Sequence, residues 1–320
     1  MDMHRYKHND WFAYSSGDAW APLGYSSWVG FYTRKPFAQG LDYFLTQTIM
    51  VWDGVASTCY VRESERERFG KKVVAKVKRN PAYIDTICNG FRSGTDCILS
   101  LYRKRKKAFT YQEYEDYITS FLTDYYQYHI QVKNVVDCLP KKLLDIHLPK
   151  LEAARLYAEP VFSREVGYVK RIAQCISTQC GYKPEHALFI FHNELVAYWR
   201  DGKPLPKESV LAARSKSSVM FFEKGIIQDV LIGTDAQQFS GVFVHDDNER
   251  ILKGQTVFGG AAKGTVRVIL DPSAAKDFNE GDILVAPFTR PEYLPIMKKA
   301  GAFITDGGGI LSHAALSPVN

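Results

Sequence analysis

Near its C-terminus the chain reads Gly301-Ala-Phe-Ile-Thr305-Asp306-Gly307-Gly308-Gly309-Ile310-Leu311-Ser312-His313-Ala314-Ala315, a short apolar strand, a glycine-rich turn and a histidine opening a new element. No other stretch constrains the fold as strongly, because it demands a strand edge from which a turn leads straight into a helix N-terminus. Glycines at the turn let the backbone approach an anion without interference from a Cβ. The free N–H groups and dipole of a helix start favour negative charge at Ser312-His313-Ala314. An imidazole, with an ordinary pKa of ~6.5, is largely uncharged at neutral pH and nucleophilic enough to accept a phosphoryl group. Chemistry and placement together read as a phosphohistidine site at His313.

The pattern Thr305-Asp306-x-Gly308-Gly309-x-x-Ser312-His313-x-Ala315 resembles the signature around the phosphorylated histidine of the swivelling domain in phosphoenolpyruvate-utilising enzymes. That family includes phosphoenolpyruvate synthase, pyruvate phosphate dikinase and rifampin phosphotransferase. The likeness extends upstream through Leu252-Lys253-Gly254, Phe258-Gly259-Gly260-Ala261-Ala262-Lys263-Gly264-Thr265-Val266-Arg267-Val268 and Gly281-Asp282-Ile283-Leu284-Val285, and covers about Gln255 to Ala315. It implies that His313 is the nucleophile, holding a phosphoryl group and delivering it after the domain swivels. Gly307, Gly308 and Gly309 would then supply backbone N–H groups, Ser312 a capping hydroxyl and phosphate contact, and Thr305 a second hydroxyl. Arg290, in Thr289-Arg290-Pro291, is a candidate for neutralising phosphate charge, with a plain surface arginine as the competing reading.

Two omissions shape the expected function. Nothing before Gly254 resembles an ATP-grasp domain, no Gly-x-x-x-x-Gly-Lys-Ser/Thr loop occurs, and nothing after the histidine segment leaves room for a phosphoenolpyruvate-binding barrel. The expectation is therefore a phosphotransferase component that binds no cofactor directly, with ATP and Mg²⁺ on an ATP-grasp type nucleotide-binding partner and an unidentified small molecule or protein as acceptor. Relatives continue past the histidine with a long helix and further strands, whereas here Pro318 would break a helix one turn after its start. The domain thus reads as incomplete at its C-terminus, and the alternative function is a non-catalytic regulatory or interaction protein that retains the fold.

Composition narrows the class. A chain of 320 residues with 46% hydrophobic and 24% charged residues fits a globular protein of about two domains. The N-terminus is polar and no apolar run approaches the ~18 residues of a membrane span, so the expected location is cytoplasmic, with no membrane partner. Cys59, Cys88, Cys97, Cys138, Cys175 and Cys180 are scattered without a C-x-x-C pair or clustered histidines, which points to reduced thiols and no metal site. Between Val61 and Phe109 fourteen Lys/Arg face five Asp/Glu, densest at Arg103-Lys104-Arg105-Lys106-Lys107. No RNP, KH or zinc-finger pattern accompanies this stretch, so it reads first as a solvated helix face, then as a surface for an acidic partner or phosphorylated ligand, and last as a nucleic-acid site.

The expected fold class is α+β: a mixed, mainly helical domain over 1–245 with a small β-hairpin region, able to hold an acceptor or partner, then a swivelling β/α domain over 246–320. Thr46–Trp52 and Val55–Val61 flank Asp53-Gly54, a tight-turn signal. The aromatics of the first sixty residues suit either a pocket wall or plain core. Tyr114, Tyr117, Ile118, Phe121, Leu122 and Tyr125 form one helical stripe, read as packing core, with Thr110 and Glu113 as its capping box. Further helices are expected from Pro149 to Cys180, Pro184 to Arg200 and Glu208 to Lys224, with His186 and His192 structural. Thr234–Arg250 reads as a polar linker. Strands are expected at Thr265–Leu270, Asp282–Ala286 and Ala302–Thr305, with a helix from Pro291 to Lys299.

Overall fold

A computed structural model describes residues 6, 10–17, 20–35, 37–38, 40–103, 109–240, 254, 256–257, 259–270, 272, 275, 277–286, 289 and 293–305. The chain divides into two compact units, Met1–His245 and Asp246–Asn320, each of which is described by itself. Helices and both antiparallel and parallel strands are present, so the protein is α+β.

Unit 1 is built on a five-stranded antiparallel sheet of order β1-β3-β2-β4-β5: β1 Trp11–Gly17, β2 Gln47–Trp52, β3 Ser57–Arg62, β4 Ser218–Glu223 and β5 Ile226–Ile232. The β2–β3 hairpin forms as its sequence predicts. Asp53 N–H donates to Ala56 O, the Asp53 carboxylate accepts from the N–H groups of Val55 and Ala56, and Gly54 takes φ +102°. The hairpin is the middle of a larger sheet, however, and not a small separate region. Its surroundings answer the question about the early aromatics: they are core. One face of the sheet packs Tyr6, Ile49, Val51, Val219 and Phe221 against Ala236 and Phe239.

Helix α1 (Pro22–Tyr32) is buried along its whole length. Trp28 stacks on Phe121 with centroids 4.9 Å apart, and Tyr32 stacks on Tyr126 at 5.8 Å. Around α1 and the sheet lie α2 (Glu63–Arg79), α3 (Tyr83–Arg103), α4 (Tyr111–Thr119), a π-helix at Ser120–Tyr126, α5 (Gln127–Val136), α6 (Lys141–Tyr157) and α7 (Pro160–Cys180). Then come the short α8 (Pro184–Ala187), α9 (His192–Asp201), α10 (Glu208–Lys216) and, after β5, α11 (Thr234–Ser240). The capping box at α4 is present, with Glu113 N–H donating to Thr110 Oγ1 and Thr110 N–H to the Glu113 carboxylate. The aromatic stripe that follows is buried, and it passes without a break from α4 into the π-helix.

Four boundaries differ from the sequence reading. Pro149 lies inside α6, where buried His147, Leu151 and Ala154 hold the helix despite the proline. The break falls instead at Ala158-Glu159, and Pro160 opens α7 at a first-turn position that needs no N–H donor. The segment from Pro184 is interrupted at 188–191, because buried Arg214 donates to Phe189 O and forks onto the Glu194 carboxylate at 2.7 and 2.8 Å, while Glu194 accepts from Phe191 N–H. Glu208–Lys224 is helix only to Lys216, then β4, whose continuous apolar run Val219–Phe222 is buried on both faces and so has no period to distinguish strand from helix. Finally, Thr234–Ser240 is helix α11 packed on the sheet through Ala236 and Phe239, not linker; 241–250 lie outside the described residues.

Two tests follow from the core. Gly94 of α3 lies against the π-helix so closely that a Cβ there would collide with Asp124 O and Tyr125 Cα. Gly94→Ala should cost about 1–3 kcal/mol in chemical denaturation, and an unchanged midpoint would refute this close approach. Glu165 of α7 is fully buried and accepts a 2.6 Å hydrogen bond from Tyr117 Oη, and burial pushes its carboxyl up from 4.5 to about 8. A carboxyl raised on folding stabilises fully below its unfolded pKa, and that contribution is lost as pH rises through the folded value. Relative to Glu165→Gln, the wild type should therefore lose stability between pH 5 and 8, by at most about 1.4 kcal/mol per pH unit. Parallel stability profiles for the two proteins would show that Glu165 is not held protonated.

Candidate functional site

In unit 2 three short strands, β6 (Val266–Val268), β7 (Ile283–Ala286) and β8 (Ala302–Thr305), form a parallel sheet in the order β6-β7-β8. Helix α12 (Leu294–Met297) lies between β7 and β8 in the chain and is shorter than the predicted Pro291–Lys299; Pro291 lies outside the described residues. Apolar side chains of both layers meet in one core, in which Phe278, Leu284 and Ala286 pack with Tyr293, Ile296, Met297 and Ala300. Parallel strands share a carboxyl end, and in open α/β sheets ligands gather outside that end. Thr305 is the last residue of β8 and is half-buried there. It is the one candidate site residue described; Arg290, Gly307, Gly308, Gly309, Ser312 and His313 lie outside the described residues.

Unit 1 holds the strongly perturbed ionisable groups, which sequence patterns did not single out because tertiary burial makes them. Lys133 is pushed down to about 7 by burial. Its Nζ donates to Tyr14 O at 2.9 Å and lies 3.6 Å from the Tyr14 ring centroid. Nearby, Arg66 bridges Glu63 and Asp137 at 2.6 and 2.7 Å, so this is a satisfied structural network. Burial also drives His129 well below its ordinary value, and its ring stacks on Tyr126. His186 pairs with Glu208 at 3.0 Å on the surface. The basic stretch from Val61 is largely solvated helix face: Lys71, Lys72, Lys78 and Arg79 are exposed. None of the six cysteines forms a disulfide, and among the described residues no three His, Cys, Asp or Glu side chains are grouped to hold a metal.

The amino end of the parallel sheet is locked by backbone alone. Gly281, at φ +82°, donates its N–H to Lys299 O at 2.7 Å, and Gly301 N–H donates to Asp282 O at 2.9 Å. A Cβ on Gly264 would collide with Gly281 O, and one on Gly301 would meet the same oxygen at 2.9 Å. Buried Asp282 accepts from Asn279 N–H at 3.0 Å and Arg267 Nε at 3.2 Å, which ties β6 to β7. Gly264→Ala should thus destabilise unit 2 by about 1–3 kcal/mol. Hydrogen exchange should quicken at the amides of β6 to β8 and stay unchanged in β2 to β4, and full protection of β7 in the variant would contradict the lock.

Residues 278–317 match the family model described as PEP-utilising enzyme, mobile domain. Among curated proteins, phosphoenolpyruvate synthase of Aquifex aeolicus is 46% identical over 69 residues, 22% of this chain and 8% of that protein. The enzyme of Pyrococcus furiosus is 46% identical over 71 residues, 22% of this chain and 9% of its own length. That of Helicobacter pylori is 35% identical over 109 residues, 34% of this chain and 12% of its own. The match therefore spans about a tenth of the length of each of these relatives. The stretch that contains β7, α12, β8 and the glycine–histidine segment is similar to the mobile, swivelling domain of phosphoenolpyruvate-utilising enzymes.

Proposed function

We propose that this chain is the phosphoryl-carrying component of a phosphotransferase. The observation that carries the reading is the family match over 278–317, which takes in His313 together with the strand and glycine turn that precede it. In this reading an imidazole nitrogen of His313 attacks the phosphorus of a donor, forming the P–N bond as the donor's P–O bond breaks. An acceptor hydroxyl then attacks the same phosphorus, the P–N bond breaks, and the hydroxyl proton leaves to a base or to the freed imidazole. Gly307, Gly308 and Gly309 offer backbone N–H groups to the phosphoryl oxygens, Ser312 caps the helix start and touches the phosphate, and Thr305 brings a hydroxyl from the end of β8. Arg290 neutralises phosphate charge.

The donor is ATP or phosphoenolpyruvate, bound with Mg²⁺ at a site outside these 320 residues, on an ATP-grasp type or phosphoenolpyruvate-binding partner. In support, no nucleotide-binding motif occurs in the sequence. The relatives are named phosphoenolpyruvate synthases, which makes phosphoenolpyruvate chemistry the first to test. Among the described residues no helix is long and apolar enough to cross a membrane, and the reading places the carrier in the cytoplasm. Wild type and His313→Ala, incubated with the partner and labelled ATP or phosphoenolpyruvate, should differ completely: acid-labile label on the wild type and none on the variant. Equal labelling of both proteins would end the phosphohistidine reading.

A further inference from the structure

A cleft in unit 1, with a volume of about 80 Å³, opens between α1, the α4–π-helix segment and the start of α9. Its apolar wall includes Phe31 and Ile118; its polar lining includes Ser26, Arg34, Glu115 and His192. This space is far smaller than the roughly 300 Å³ or more of a site for drug-sized ligands, which limits an occupant to a few heavy atoms. Arg34 and Glu115 carry opposite charges on the same concave surface. Yet neither is hydrogen-bonded or ion-paired to the other or to any other described residue. Opposite charges lining one small concavity without closing on each other leave both free for a ligand that carries both signs.

The polar groups between them are preset. His192 Nδ1 and Tyr114 Oη share a 2.9 Å hydrogen bond that fixes the ring. Burial, helped by the charge of Arg34, holds the imidazole down to about 4, so it is neutral at physiological pH and reads hydrogen bonds, not charge. Ser26 is 3% exposed, its Oγ accepts from His192 N–H at 3.0 Å, and its own hydroxyl proton has no acceptor among the described residues. The π-helix widens the backbone where Leu122 and Thr123 join the lining, and such turns concentrate at functional sites.

We propose that this cleft binds a small zwitterion of the amino-acid class, its carboxylate on Arg34, its ammonium on Glu115 and a short polar side chain at Ser26 and His192. The inference does not rest on the carrier reading, and its test measures binding, not phosphoryl transfer, so either can fail alone. L-Serine is the probe, titrated calorimetrically into the full chain, with propionate, ethylamine and inorganic phosphate as probes bearing one sign of charge. Saturable binding of L-serine is expected, weakened by about tenfold or more in Arg34→Gln and in Glu115→Gln, with each single-sign probe weaker by a similar factor. Circular dichroism should show both variants folded, since Arg34 is exposed and Glu115 only half-buried. No saturable L-serine binding, unchanged affinity in either folded variant, or phosphate or propionate binding as tightly as L-serine would overturn the assignment.

Discussion

Unit 1 depends on a helix that has no solvent face. Every residue of α1 is buried, so its stability comes from tertiary contact on all sides and none from an amphipathic arrangement. The sheet supplies one boundary, through Thr48 Oγ1 donating to Val29 O, and the π-helix supplies another, through the Trp28–Phe121 stack. Aromatic side chains dominate this interior because they fill the space between sheet and helices with few rotatable bonds, and tilted or stacked pairs add to their area burial. The tyrosines among them bring hydroxyls inside, and these find partners in each other and in buried acids, as in Tyr32–Tyr126 and Tyr117–Glu165. The same packing makes Glu165 a neutral acid and Lys133 a weakened base, so the unusual protonation of unit 1 is a by-product of how its core is filled.

Local signals were legible where a residue type had one conformational use. Asp53-Gly54 gave the β2–β3 turn, Thr110 and Glu113 the start of α4, and Gly181 and Gly202 end α7 and α9 in the left-handed region. Signals failed where tertiary partners decide. β1 carries Ala13 and Ser15–Gly17, a run with little strand character, yet it pairs along β3. The α8–α9 break is written by Arg214, more than ten residues downstream, which no local window contains. The chemistry of the candidate site was legible as a residue pattern at His313, and its strands β6 to β8 were found close to their observed bounds. The cleft beside α1 was not legible at all, because Arg34, Glu115 and His192 come from segments far apart in sequence.

The two units divide the physical tasks. Unit 2 presents a parallel sheet closed at its amino end by backbone contacts, which leaves the carboxyl end as the place where side-chain chemistry can vary. Unit 1 surrounds a small polar cleft with a rigid aromatic core, so charged groups stand at fixed positions with little freedom to collapse onto each other.

The π-helix at Ser120–Tyr126 carries a consequence for how this sequence can vary. A π turn holds an extra residue relative to an α turn. Deleting one residue there would restore an ordinary helix but rotate everything downstream by about 100°. His129, Ile130 and Lys133 of α5 would then leave the core faces they occupy, and Lys133 would lose Tyr14. Side chains in this turn can exchange within the limits of packing, but its length cannot, so insertions and deletions in descendants of this chain should avoid 120–126 and accumulate in loops on either side.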